Sequence, residues 1–207
     1  PGIGNVTNLS GSAFSDAGFD TGEQDSGARL VFIIDKSGSM WGGQLNMAKN
    51  ALLKSLNAMN GEGQFYAYFF NQRDDAMRIN DVRAPIMLDS NSANIAKVSE
   101  WIESRRAWGG TDPSDSLKSA FTHKPTELYL LTDGEFRGRK DEPTIRELIQ
   151  SLNANKATKI NTLAIGDSLR GTPAEASLMI IAQENGGTYT FIDPATVKSP
   201  PKPAGNP

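Results

Sequence analysis

Cysteine is absent from the 207 residues. Thiol chemistry, disulfides and cysteine-built zinc sites are therefore excluded, and the redox character of the compartment leaves no trace. Histidine is almost absent. The single one, His123, precedes a Lys-Pro pair and reads as a surface residue, which leaves little room for imidazole catalysis or metal binding. No apolar run approaches the roughly 20 residues of a membrane span. A basic excess is lacking too: 21 Lys and Arg against 24 Asp and Glu give a net charge of −3, which argues against a nucleic-acid-binding face. The chain does not begin with methionine, so it reads as a fragment whose leader or anchor would lie elsewhere in a longer protein.

What is present suits one soluble globular domain. Hydrophobic residues make up 38%, mean hydropathy is negative, and a chain of this length buries roughly 70% of its unfolded surface. Residues 1–27 are rich in Gly, Ser, Asp and Asn and are expected to be irregular. Asp16, Asp20 and Asp25 within them lack the spacing of a calcium loop and read as solvated linker. Residues 194–207 contain five prolines and are expected to form an extended tail. The domain is placed at 28–193, without an internal repeat.

Two patterns alternate inside it. Apolar runs of strand length occur at 29–34, 65–70, 127–132, 160–165 and 188–192. A weaker run at 83–88 contains Pro85, which belongs at a sheet edge. Runs that are apolar at successive positions suit strands covered on both faces. Helical periodicity fills the gaps at 44–60, 94–106 and 143–155. In "TPAE" (172–175), Thr172 is expected to cap a further helix, with Pro173 in its first position and Glu175 reaching back. The alternation predicts an α/β fold: a doubly wound, mostly parallel open sheet with helices on both faces and an antiparallel edge strand.

In such sheets ligands bind beyond the carboxyl ends of the strands. After the first strand, "LVFIIDKSGSMWGG" (30–43) supplies Asp35, Ser37 and Ser39. After the strand at 127–132 comes Asp133, then Gly134. The loop "WGGTDPSD" (108–115) supplies Thr111, followed by Asp112 as a helix cap and Pro113 in the first helical position. Two carboxylates at neighbouring strand ends repel each other, and keeping both ionised in a partly dry crevice costs several kcal/mol unless a cation compensates. Oxygen-only donors point to a hard cation, Mg²⁺ first, with Ca²⁺ or Mn²⁺ as alternatives.

Asp35-x-Ser37-x-Ser39 after an apolar strand, Thr111 behind Gly-Gly and Asp133 in "LLTDG" resemble the metal-ion-dependent adhesion site of von Willebrand factor type A domains. The resemblance covers about 28–193. It implies direct metal contacts from Ser37 and Ser39, and from Thr111 in a ligand-ready state. It implies that Asp35 and Asp133 act largely through water or by holding the hydroxyls. It implies binding, not turnover: a protein partner would present an Asp or Glu carboxylate to the metal. The chain departs from the family after the last strand, where "PATVKS" leaves room for only a short final helix. A bacterial, extracytoplasmic or envelope-associated setting is expected. Trp41, Trp108 and Phe136 flank the three loops; for the two tryptophans, ligand contact and simple packing are both open.

Other arrangements fit parts of the same pattern. Asp35, Ser37 and Ser39 alone could form a capped strand-to-helix turn, and Thr111 could belong to local helix capping. "GDSL" (166–169) matches a serine esterase motif with Ser168 as nucleophile, but no histidine follows position 123 to serve as its base. Phosphoryl transfer would want carboxylates, not hydroxyls, as direct metal ligands, and no phosphate-cradling glycine loop occurs; the alternative that stands is an enzyme on a related sheet, a serine hydrolase at Ser168 or a metal-assisted hydrolase.

Overall fold

The computed structural model describes residues 27–134, 136 and 143–193, together with the strand Val6–Ser10. The expectations for residues 11–26, for the tail at 194–207 and for a short last helix at "PATVKS" fall outside the described residues.

Strands β1 (Val6–Ser10), β2 (Arg29–Asp35), β3 (Gln64–Phe70), β4 (Asp74–Ala76), β5 (Arg78–Ile79), β6 (Val82–Arg83), β7 (Leu88–Asp89), β8 (Glu127–Thr132), β9 (Lys159–Ile165) and β10 (Tyr189–Asp193) follow in chain order. The main sheet runs β1-β10-β9-β8-β2-β3-β4. Every pairing from β1 to β3 is parallel. β4 and β7 each pair antiparallel with the outer side of β3, so together they make one interrupted edge. β5 and β6 form a separate small hairpin.

The run at 83–88 is not a strand. Its ends join β6 and β7, and Pro85, which has no N–H to donate, sits between them. The segment expected to be irregular at 1–27 contains β1, which pairs with β10 from Val6↔Tyr189 to Ser10↔Asp193. Its sequence, VTNLS, has only two apolar residues and no period-two alternation, so it carried no strand signal.

Helices α1 (Gln44–Ala58), α2 (Ser92–Ser104), α3 (Ser114–Thr122), α4 (Ile145–Leu152) and α5 (Pro173–Glu184) cover both faces. α1 packs with α2, whereas α3 packs with α4, and α5 lies over β9 and β10. Both faces of β2 are therefore sealed. Leu30, Val31, Phe32, Ile33 and Ile34 all have zero exposure, and at about 1.5–3 kcal/mol each their burial contributes on the order of 10 kcal/mol. Phe32 stacks on Tyr129 of β8 at 5.2 Å, and Trp101 of α2 meets Phe69 edge-on at 5.4 Å.

Helix ends follow local chemistry with two shifts. A reciprocal capping box forms at Thr144 and Glu147. At Thr172 the side chain accepts from the Glu175 amide as expected, but Glu175 reaches back to the Gly171 N–H and accepts from the Tyr189 hydroxyl. At α3 the cap lies one residue later than expected: Pro113 precedes the helix, and the Asp112 carboxylate accepts from the Ser114 N–H at 3.0 Å.

β2 is the switch point. The chain leaves it through α1 to β3 on one side, then crosses back to β8 on the other. The crevice this creates lies where β2 ends at Asp35 and β8 ends at Thr132.

Candidate metal centre

Four loops meet at that crevice, and main-chain hydrogen bonds staple them together. The loop leading to Thr111 is tied to the β2 loop twice: Trp108 N–H donates to the Lys36 carbonyl at 2.9 Å, and Gly38 N–H donates to the Gly109 carbonyl at 3.0 Å. Residues just after β3 fix the same loop from behind. Asn71 Nδ2 donates to the Trp108 carbonyl at 3.0 Å, Gly110 N–H donates to Gln72 Oε1 at 2.6 Å, and Asp112 N–H donates to the Asn71 carbonyl at 2.6 Å. Beneath the loop, Asp75 joins Lys36 and Arg105 at 2.5 and 2.6 Å. Burial alone would raise the Asp75 carboxyl, but these two cations outweigh it and hold it below the usual range.

The candidate donors come together in a chain. Ser37 Oγ and Ser39 Oγ lie 3.1 Å apart, and Ser39 Oγ donates to Asp133 Oδ1 at 2.7 Å. Behind them Asp35 accepts from the Ser37 N–H at 2.7 Å and from Thr132 Oγ1 at 2.6 Å. Thr111 Oγ1 borders the Asp133–Gly134 turn: a Cβ on Gly134 would stand 3.8 Å from it. Asp35 is fully buried and Asp133 nearly so, while Ser39 faces outward. Burial pushes the Asp35 carboxyl up to about 6 against its two hydrogen bonds, with the Asp133 charge adding to the rise. Burial also raises Asp133, opposed by the Ser39 hydroxyl.

This donor set suits a hard divalent cation. Octahedral ligands at ~2.1 Å stand roughly 3 Å apart along an edge, which is the spacing of these oxygens. Among the described residues, no three His, Asp or Glu side chains gather. The candidate shell is thus hydroxyl-rich, with two carboxylates whose pKa values burial raises.

Around this chain the three aromatics differ. Trp41 is 81% and Trp108 53% exposed. Phe136, expected on the same rim, is partly buried and packs against both apolar clusters. His123, expected at the surface, is also half-buried. It stacks on Tyr66 at 4.2 Å, and its Nε2 lies 2.9 Å from the Tyr68 hydroxyl; burial lowers its pKa. Sequence reasoning assigned no role to Thr132 or Gln44. The Gln44 amide, with its nitrogen toward them, donates to Asp133 Oδ2 and the Ser39 carbonyl, both at 2.9 Å. Thr132 stands beside Asp133 and was discoverable by proximity. Gln44 opens α1 with no distinguishing pattern.

Ser168 sits in a short turn, its hydroxyl donating to the Asp133 carbonyl at 3.3 Å. The sole histidine is engaged with Tyr66 and Tyr68, so no imidazole activates this serine. Hydrolysis of p-nitrophenyl acetate is expected to be the same for wild type and Ser168→Ala; a rate that disappears in the variant would establish a serine hydrolase.

No protein-family model matches the sequence. The chain is 26% identical over 107 residues, 51% of its length, to the inter-alpha-trypsin inhibitor heavy chain H4 of Bos taurus, of which it spans 11%. It is 28% identical over 153 residues, 69% of its length, to a von Willebrand factor A domain-containing protein of Dictyostelium discoideum, of which it spans 16%. Among solved structures, a von Willebrand factor type A protein from Catenulispora acidiphila superposes with a TM-score of 0.66 at 23% identity, covering 82% of this chain and 40% of that one. The chain thus matches a small part of each much longer curated relative, and the structural likeness is one of fold.

Proposed function

We propose that this chain, a von Willebrand factor type A domain by its fold, binds a protein ligand through a divalent cation held at the carboxyl edge of its sheet. The observation that carries the reading is the hydrogen-bonded chain Ser37–Ser39–Asp133, with Asp35 buried behind it. Ser37 and Ser39 would hold the cation directly and Thr111 would join them in the ligand-bound arrangement. Asp35 and Asp133 would orient the hydroxyls and balance the charge through water. Mg²⁺ fits first, with Ca²⁺ and Mn²⁺ as alternatives. Neutral hydroxyls leave most of the cation's charge unspent, so it would supply a positive centre for an Asp or Glu carboxylate of the partner. Among the described residues, Asp35 and Asp133 are engaged in holding the hydroxyls and Ser168 has no imidazole beside it, which supports binding without turnover.

Thermal denaturation with Mg²⁺ or EDTA tests this. A ligand at about 100 times its Kd stabilises the folded state by about 2.7 kcal/mol. Millimolar Mg²⁺ is expected to raise the wild-type Tm by several degrees, and Ser37→Ala or Asp133→Ala to abolish the rise. A wild type that ignores Mg²⁺, Ca²⁺ and Mn²⁺ alike would sink the reading.

A further inference from the structure

Beside the candidate metal centre lies a cleft of about 610 Å³ between the first turns of α1 and the segment that leaves α2. Met40 and Trp41 form one wall, and Met40 directly follows Ser39. Lys49, Arg105 and Arg106 line it as well. All three cations have unused donor capacity. Lys49 is 2% exposed, yet its ammonium makes one hydrogen bond, to the Glu103 carbonyl at 2.8 Å, and an ammonium has three N–H groups. Arg105 is paired with Asp75, but its buried Nε has no partner. Arg106 is exposed and bonds the Glu103 and Arg105 carbonyls through Nη1. Among the described residues neither Lys49 nor Arg106 has a carboxylate partner. Glu103 lines the cleft too: its main-chain carbonyl accepts from both cations, and its charge favours the Lys49 ammonium without forming an ion pair with it.

Leaving a buried ammonium with a single acceptor and a buried guanidinium N–H with none is costly. Burial accordingly lowers the Lys49 pKa. An anion in the cleft would give Lys49 and Arg106 the acceptor they lack, with the Arg105 charge adding to the attraction, and the exposed Trp41 ring would cover the apolar stem that carries it.

We propose that this cleft is a second anchoring point, taking an acidic side chain of the same partner segment whose other carboxylate would meet the cation. The choice of partner rests on the metal-dependent reading above, whereas the cleft's affinity for carboxylate rests on Lys49, Arg105 and Arg106 alone. The occupant is therefore a peptide segment with two acidic side chains.

The test uses the full chain and a fluorescein-labelled Glu-Gly repeat peptide, read by anisotropy in Mg²⁺ and in EDTA. Arg106→Gln is expected to weaken the peptide about tenfold and Arg106→Glu to abolish binding. Both variants should keep the wild-type Tm and its Mg²⁺ shift, because Arg106 is exposed and outside the donor chain. If peptide affinity is equal in wild type, Arg106→Gln and Arg106→Glu while Mg²⁺ still shifts the Tm, the cleft proposal is wrong and the metal reading stands. If Mg²⁺ gives no shift and EDTA no effect, yet the Arg106 variants lose the peptide, the cleft stands and the metal reading falls. A peptide that does not bind wild type, or one displaced far more readily by a sulfated oligosaccharide than by unlabelled peptide, overturns the assignment.

Discussion

Between pH 4 and pH 7 Asp35 is expected to remove about 3 kcal/mol of stability from the metal-free protein, and Asp35→Asn to abolish that loss. The carboxyl is raised from 3.8 to about 6 in the folded state, and each unit is worth about 1.4 kcal/mol. The sign follows from proton counting. Between these two values the folded state keeps the proton that the unfolded state has released, so stability falls as pH rises through the window. Below 3.8 the penalty is absent, and above about 6 it is complete and constant. Asp133 acts in the same direction. Asp75 acts in the opposite one, since its pKa is depressed and its contribution is lost as pH falls. The informative quantity is therefore the difference between the wild-type and Asp35→Asn melting curves. The substitution is mild in shape. The amide oxygen can still accept from the Ser37 N–H, and Thr132 can turn its hydroxyl to donate to the Gly134 carbonyl, already 3.3 Å away. At roughly 2–4 °C per kcal/mol for a chain of this size, the variant should melt several degrees higher than wild type at pH 8 and equally at pH 4. Added Mg²⁺ should reverse the order at pH 8, because the cation favours the ionised wild-type carboxylate. Parallel curves at all pH values would mean that Asp35 is not the buried acid described here.

The donor chain was legible because each of its members stands where an apolar strand stops or a glycine pair turns. Asp35 closes β2 and Asp133 follows β8, and a fully buried strand ends visibly in sequence. What holds those donors in place was not legible. Asn71 and Gln72 act by meeting main-chain groups far away in sequence, and Gln44 by meeting the Asp133 carboxylate and the Ser39 carbonyl; nothing in their type or spacing marks them. β1 escaped for a related reason: an edge strand is held by its backbone pairing with β10 and needs little from its side chains. His123 was misplaced because a polar residue in a loop reads as exposed, while the aromatic groups that bury it come from another element.

Gly109→Ala is expected to lower stability by about 2–4 kcal/mol and to weaken Mg²⁺ binding at least tenfold, with Gly110→Ala as a near-silent neighbour. Gly109 has φ +85°, a conformation that costs an L-residue about 1–2 kcal/mol. Its added Cβ would also stand 2.3 Å from Gln72 Oε1 and 3.0 Å from Asn71 Nδ2. Those are the two groups that pin the loop, through Gly110 N–H and the Trp108 carbonyl, and each lost bond costs about 1 kcal/mol. The Gly109 carbonyl accepts from the Gly38 N–H, so the displacement passes directly into the turn that carries Ser37 and Ser39. Thr111 moves with the same loop. At Gly110 the nearest atom to an added Cβ is Gln72 Oε1 at 3.6 Å, an ordinary contact, and the change should stay within about 0.5 kcal/mol. The pair separates structure from metal binding. If Gly109→Ala loses stability but retains wild-type Mg²⁺ affinity, Thr111 and its loop stand outside the metal centre, and the cation is held by the β2 and β8 ends alone. Loss of both together ties the three loops into one binding unit.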